Sequence, residues 1–198
     1  MPQYLGSAIR FTVLTWILFG IGYPFLEVGI NQALFPGAAN GSLVRMDGRV
    51  VGSRLIEQSF KGPMWFHGRP SAVHEDPRLS GASNRGPLSY HLFRHLTARR
   101  LRLDERHPSL VGKQLPADMT TSSASGLDPD ISPATGYLEA SWVARARGLP
   151  AEAVRHLVAT HVVGPWLDLF GDARVNVLML NLALQNMAAT TQYATMKR

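Results

Sequence analysis

Hydrophobic positions follow two regimes along this chain. Across residues 11–30 they are nearly continuous: F-T-V-L-T-W-I-L-F-G-I-G-Y-P-F-L-E-V-G-I carries one charge, Glu27, near its far end. Twenty helical residues rise about 30 Å, the thickness of a bilayer's hydrocarbon core, so the pattern predicts an uncleaved transmembrane anchor. The apolar region of a cleaved secretory signal is usually only ~7–15 residues, which makes that the poorer reading. Trp16 and Tyr23 suit the membrane interfaces, and Glu27 can snorkel from a helix end. Pro24 lacks an amide donor and crowds the preceding turn, so a bend is expected there. Gly20, Gly22 and Pro24 together make a notch where another helix can pack closely, and Gly29 adds a further small surface.

Phe35-Pro36-Gly37 ends the continuous run, and periodic patterns take over. The expected division is an anchor over 1–35, with its core at 11–30, and one mixed domain over 36–198. Residues 42–45 and 49–52 flank Met46-Asp47-Gly48, and Asp-Gly between β-formers predicts a hairpin. Residues 53–60 read as a short helix and 61–90 as turns. Residues 90–105 form an amphipathic pattern with Leu92, Phe93, Leu96 and Leu103 on one side. A second helix opens with Ser132 as cap and Pro133 in the first turn, and Gly148 stops it. A third starts near Pro150, with Val154, Leu157, Val158 and His161 on one face. Residues 175–187 stay open between two forms: Leu178, Leu180, Leu182 and Leu184 alternate as a strand would, yet the run has a helix's length. Strands and helices segregated this way give an α+β class behind a single N-terminal transmembrane helix.

Composition narrows the function classes. At 198 residues with 45% hydrophobic and only 17% charged, the chain has a core to bury and is no disordered tail. The absence of cysteine removes disulfide scaffolds, thiolate zinc sites and thiol catalysis. The net charge of +6 comes mostly from arginine, with Arg94, Arg99, Arg100, Arg102 and Arg106 clustered near His91, His95 and His107. No aromatic platforms interleave with them, so a basic face toward lipid headgroups or an acidic partner fits better than nucleic acid. No phosphate-loop, dinucleotide, zinc-protease or serine-hydrolase motif is present.

Two segments hold candidate chemistry. Residues 122–133, S-S-A-S-G-L-D-P-D-I-S-P, join small hydroxyls to two carboxylates and lead into a helix. Asp128 and Asp130 could offer oxygens to a hard cation, but two carboxylates fall short of a cage and no lysine completes a phosphate site. The alternative is a rigid turn whose side chains accept backbone hydrogen bonds. In the other segment, His67 and Arg69 flank a tight turn, as proton carrier and anion clamp or as loop ties. His161, without a second ligand at metal spacing, reads as a core or interface histidine.

Seven motifs in order resemble the C subunit of the Kdp-type bacterial potassium-transporting ATPase. They are F-P-G-A-A-N-G-S-L at 35–43, G-R-V-V-G-S-R-L-I at 48–56, W-F-H-G-R-P-S at 65–71, S-N-R-G-P at 83–87, S-A-S-G-L-D-P-D-I-S-P at 123–133, V-A-R-A-R-G-L at 143–149 and R-V-N-V-L-M-L-N-L-A-L at 174–184. The resemblance implies a noncatalytic accessory subunit with one inner-membrane helix, a cytoplasmic N-terminus and a periplasmic, extracytoplasmic domain. Its implied partners are a channel-like potassium-binding subunit, a P-type ATPase catalytic subunit and a small single-helix subunit. Its implied role is assembly and catalytic chaperoning, raising the catalytic subunit's affinity for ATP. ATP and potassium are then ligands of the complex, and no cofactor or metal is assigned to this chain itself. The motifs supply candidate docking or loop-structuring residues: His67, Arg69, Ser83, Asn84, Ser123, Ser125, Gly126, Asp128, Asp130, Arg145, Arg147, Arg174 and Asn176. None is assigned a catalytic role. The alternative from another class is an anchored extracytoplasmic enzyme with acid–base chemistry around His67, Asp128 and Asp130. The segment 161–166, H-V-V-G-P-W, departs from the family's polar pattern by being apolar.

Overall fold

Helix runs unbroken from Pro2 to Leu34, but not in one form. In this computed structural model, which describes residues 2–196, α1 (Pro2–Ile17) passes through a π-helical turn (Leu18–Gly22) into α2 (Tyr23–Leu34). The Tyr23 amide donates to the Leu18 carbonyl, five residues back, in the turn immediately before Pro24. The proline's effect therefore takes the form of a widened turn on its N-terminal side, which makes room for the ring without ending the helix. The 31 residues of Tyr4–Leu34 have a mean hydropathy of 1.6 and bury none of their apolar window. They rise about 46 Å, so the helix outruns the expected 11–30 core at both ends and is long and apolar enough to cross a membrane. Apolar side chains are exposed all round it, the pattern of a helix that faces lipid. Within it, the Tyr23 hydroxyl donates to Glu27 Oε1 at 2.6 Å, giving the lone carboxylate a partner one turn away.

The chain divides into two compact units, Met1–Val51 and Gly52–Arg198. After α2, the single turn α3 (Pro36–Ala39) leads to the hairpin of β1 (Leu43–Met46) and β2 (Arg49–Ser53). Asp47 and Gly48 both have positive φ, 50° and 79°, as a type I′ turn requires.

In the second unit the expected helix at 53–60 is absent. A turn from the Ser53 carbonyl to the Ile56 amide is followed by extended chain, and Glu57 donates its amide to Leu127 instead of to a helical neighbour. Tertiary pairing has taken the Glu57 amide, which a helix would have used. Helix α4 (Tyr90–Arg106) forms as the pattern predicts, its N-cap Ser89 accepting from the Leu92 amide. Leu92, Leu96 and Leu103 are half-buried, whereas Phe93 stays exposed. Helix α5 (Pro133–Arg147) is capped by Ser132 and stopped by Gly148 in the left-handed conformation. Helix α6 (Ala151–Thr160) buries Val154 and Val158; His161 caps its C-terminus, its Nδ1 lying 2.8 Å from the Leu157 carbonyl, instead of joining the buried face.

The 175–187 run resolves into both candidate forms. β5 (Arg174–Asn176) is the central strand of an antiparallel sheet, between β3 (Asp130–Ile131) and β4 (Val162–Val163), and α7 (Val177–Met196) begins at once. Val175 pairs with Ile131 on one side and Val162 on the other and is fully buried. Buried Val177, Leu180 and Leu184 then follow helical spacing and join Val143, Val154, Val158, Leu110 and Phe66 in one core.

Candidate functional site

The hydroxyl- and acid-rich stretch is the crossroads of the second unit. Ser123 is buried, and its amide donates to Pro70. The Ser125 carbonyl accepts from the Gly81 amide at 2.8 Å and the Ser80 hydroxyl at 3.1 Å, while Ser125 Oγ takes the Leu127 amide. Gly126 is buried at φ 72°, and its carbonyl accepts from Ser71 Oγ at 2.7 Å. A Cβ there would lie 2.6 Å from a Val73 methyl and 2.9 Å from the Gly81 carbonyl, so conformation and space both demand glycine. The Leu127 and Pro129 carbonyls accept from Glu57 and Val177. Four chain segments remote in sequence thus close on one loop.

Its carboxylates are engaged. Asp128 Oδ1 accepts the Asp130 amide, and Oδ2 lies 3.1 Å from Arg69 Nη1. Asp130 lies 3.2 Å from Arg174 Nε and 3.2 Å from Asn176 Nδ2; burial pushes its carboxyl above the ordinary range, against the pull of Asn176 and Arg174. Asn176 also donates to the Arg54 carbonyl and, through Oδ1, caps α7 at the Met179 amide. Asp118 accepts from the Ser132 amide and the Thr135 hydroxyl, both at 2.7 Å. Asp118, Asp128, Asp130, Arg69 and Arg174 line one cleft of about 510 Å³.

His67 lies elsewhere. It lines a smaller cavity of about 210 Å³ with Glu139, Asp118, His107 and Trp142. Its amide donates to Glu139 Oε2 at 2.9 Å, and its Nδ1 is 3.7 Å from Oε1, an ion-pair distance. The buried carboxylate raises the imidazole pKa, partly offset by burial. His107, stacked on Trp142 at 3.9 Å, is shifted down by burial and by Arg106. The structure therefore does not bring His67 into the cleft of Asp128 and Asp130.

Of the remaining candidates, Arg147 donates to the Met64 carbonyl at 2.6 Å and covers the Trp65 ring at 4.3 Å, fastening α5 to the 64–67 strip. Arg145 is exposed, and Ser83 and Asn84 (φ 50°) lie in an exposed loop. In the anchor, Gly20 packs under the Trp16 indole, where a Cβ would sit 3.5 Å from the ring; Gly22 and Gly29 have open space beyond their own turn.

Asn181, Glu139 and Glu57 are buried polar residues that the sequence patterns did not single out. Asn181 is fully buried; its Oδ1 accepts the Phe66 amide and its Nδ2 donates to the Phe66 carbonyl, both at 2.9 Å. Glu139 sits on the buried face of α5. Glu57 is 4% exposed, with Oε2 unpartnered among the described residues, and burial aided by Glu75 and Asp128 pushes its carboxyl up to about 8. Asn181 and Glu139 break apolar helix faces at core positions, a signal the sequence does contain. The apolar departure at 161–166 continues into an exposed loop in which Trp166 and Phe170 exchange backbone hydrogen bonds at 2.9 Å, with Leu167 and Leu169 outward.

The chain is similar to known proteins along most of its length. A family profile described as "KdpC: K+-transporting ATPase, c chain" matches residues 5–186. Proteins named "Potassium-transporting ATPase KdpC subunit" are similar over nearly their whole length. The one from Nitratidesulfovibrio vulgaris is 51% identical over 191 residues, 95% of this chain and 96% of that protein. That from Gemmatimonas aurantiaca is 47% identical, covering 96% of each chain. That from Caldanaerobacter subterraneus is 44% identical, covering 93% of this chain and 95% of its own.

Proposed function

The chain belongs to the KdpC family, the c chain of K+-transporting ATPases, and on that premise we propose that it is a noncatalytic accessory subunit of an ATP-driven potassium importer. In this reading it joins a channel-like potassium-binding subunit, a P-type catalytic subunit and a small single-helix subunit, aids their assembly, and raises the catalytic subunit's affinity for ATP. In the same reading the long apolar helix, Tyr4–Leu34, anchors it in the cell membrane, with the N-terminus cytoplasmic and residues 36–198 outside.

One observation carries the noncatalytic reading. The groups that acid–base chemistry would need are divided between two cavities and spent on the fold: His67 on Glu139, Asp128 on Arg69 and the Asp130 amide, and Asp130 on Arg174 and Asn176. A general acid and base must reach one substrate together, and the alternative enzyme built on His67, Asp128 and Asp130 lacks that convergence. An outer domain cannot touch cytoplasmic ATP, so the affinity effect is a coupling free energy passed through other subunits.

The test is complementation. Deleting the chain should lower potassium-stimulated ATPase activity most at limiting ATP, and His67→Gln protein should restore it. Loss of activity in a folded His67→Gln complex would return the enzyme reading. Protease added to intact spheroplasts should digest the second unit; protection until lysis would reverse the topology.

A further inference from the structure

Arginines in this chain fall into two populations. Arg69, Arg78, Arg100, Arg155 and Arg174 each lie within 4 Å of a carboxylate. Arg85, Arg99 and Arg102 have no such neighbour among the described residues, and these three converge on one cavity of about 480 Å³ between α4 and the 71–85 turns. His74 and His95 also line it, Ser83 adds a hydroxyl, and no Asp or Glu is among its lining residues. Arg99 is fixed in place: Nη1 donates to the Thr120 carbonyl at 2.7 Å and Nη2 to Ser122 Oγ at 3.0 Å. Arg85 is steadied by the His91 carbonyl, while Arg102 has no hydrogen-bond or ion-pair partner among the described residues.

Gathering like charges without a counter-charge costs free energy, and the cost is visible in the neighbours. Arg85, ahead of burial and Arg99, holds the His95 imidazole below its usual range. Burial, Arg102 and Arg85 lower Arg99 as well. Such a site recovers that energy when an anion enters. Guanidinium forks and a hydroxyl set around a concave pocket suit the several acceptor oxygens of a tetrahedral phosphate, and the volume lies within the range of small-ligand pockets.

We propose that the Arg85–Arg99–Arg102 pocket binds a phosphate-class anion, either a free phosphate or the phosphodiester headgroup of an anionic lipid. The site is independent of the accessory role proposed above, because it rests on charges within the second unit alone.

The experiment titrates inorganic phosphate, by calorimetry at low ionic strength, into the full chain held in nanodiscs of phosphatidylcholine alone or mixed with phosphatidylglycerol. The expected result in phosphatidylcholine is saturable one-to-one binding. Arg102→Gln and Arg85→Gln should each weaken it tenfold or more. Arg106→Gln removes the same charge from the neighbouring His67 cavity and should leave affinity within twofold. Binding abolished by phosphatidylglycerol identifies the headgroup as occupant; binding kept in both discs identifies a free anion. The proposal falls if phosphate does not saturate in phosphatidylcholine discs, if the pocket variants bind as well as the parent, or if Arg106→Gln weakens binding as much as they do. Circular dichroism of each variant confirms that Arg102, exposed and unpaired, is replaced without loss of fold.

Discussion

Replacing Asn181 with leucine should destabilise the second unit well beyond the norm for a near-isosteric change. Both residues of the clamp are fully buried, and Asn181 satisfies the amide and the carbonyl of Phe66 at once, from 115 residues away. Leucine fills the same space but leaves two backbone groups without partners or water. Each orphaned group costs about 1–3 kcal/mol, or about 2–6 kcal/mol together. Added apolar burial returns about 1 kcal/mol, so a net loss near 3 kcal/mol is expected. For a chain of this length, ~2–4 °C per kcal/mol gives a melting drop of roughly 6–12 °C. Heating the full chain in mild detergent while following tryptophan fluorescence measures it, since Trp65 adjoins the clamp and Trp142 lies in the core. Asn181→Asp adds an internal check. Its carboxylate would face the Phe66 carbonyl, so stability should fall as pH rises above the unfolded aspartate pKa and recover in acid, where a protonated carboxyl can again donate. A leucine variant melting within about 1 °C of the parent would refute the clamp's energetic role.

Other outcomes follow from the same structure. Glu57 keeps its proton to about pH 8 in the fold, whereas its ordinary value is 4.5, so the folded state binds more protons in between and stability should decline across that window. Melting curves from pH 5 to 8.5 should show Glu57→Gln flattening the decline and stabilising the chain at pH 8; no gain there would refute the buried-carboxyl assignment. His67 acts in the same direction: its raised pKa supplies stability that is full below 6.5 and lost as pH rises through the folded value, so His67→Gln should remove part of the slope above pH 6.5. Ser132→Ala removes the α5 cap and one Asp118 hydrogen bond, and should cost about 1–2 kcal/mol in denaturant unfolding. Leucine at Gly20 and Gly22 should preserve membrane insertion but reduce co-purification with the other pump subunits; undiminished recovery would reduce the anchor to a tether.

What the sequence disclosed follows the range of the forces involved. Local rules carried the hairpin turn at Asp47-Gly48, the Ser132 and Gly148 boundaries of α5, and the apolar helix, because caps, turns and continuous hydrophobicity are written in adjacent residues. Residues 53–60 do not continue as helix because the Glu57 amide pairs with the Leu127 carbonyl, a contact no local window contains. The Leu178–Leu184 alternation does not mark a strand: all four leucines lie in α7, which buries Leu178, Leu180 and Leu184, and only residues 174–176 ahead of them are strand. Family motifs pointed to the 123–133 loop, and its geometry is that of a hub. The basic pocket was half legible: the arginines of α4 stood out, but Arg85 joins Arg99 and Arg102 only through folding.

The position of β5 also bears on how the protein is made. The central strand of the three-stranded sheet is its last in sequence, and its partner Ile131 and the Pro129 carbonyl must wait for residues 175–177. The Phe66 backbone waits longer still, for Asn181. Until the ribosome has made residues 174–181, the second unit lacks both its middle strand and its helical clamp, and non-local closure of this kind is intrinsically late. On the topology proposed above, a translocation channel would receive the whole domain still extended, with the N-terminal helix already seated in the bilayer. Late folding then keeps the second unit threadable until β5 and the first turns of α7 are delivered.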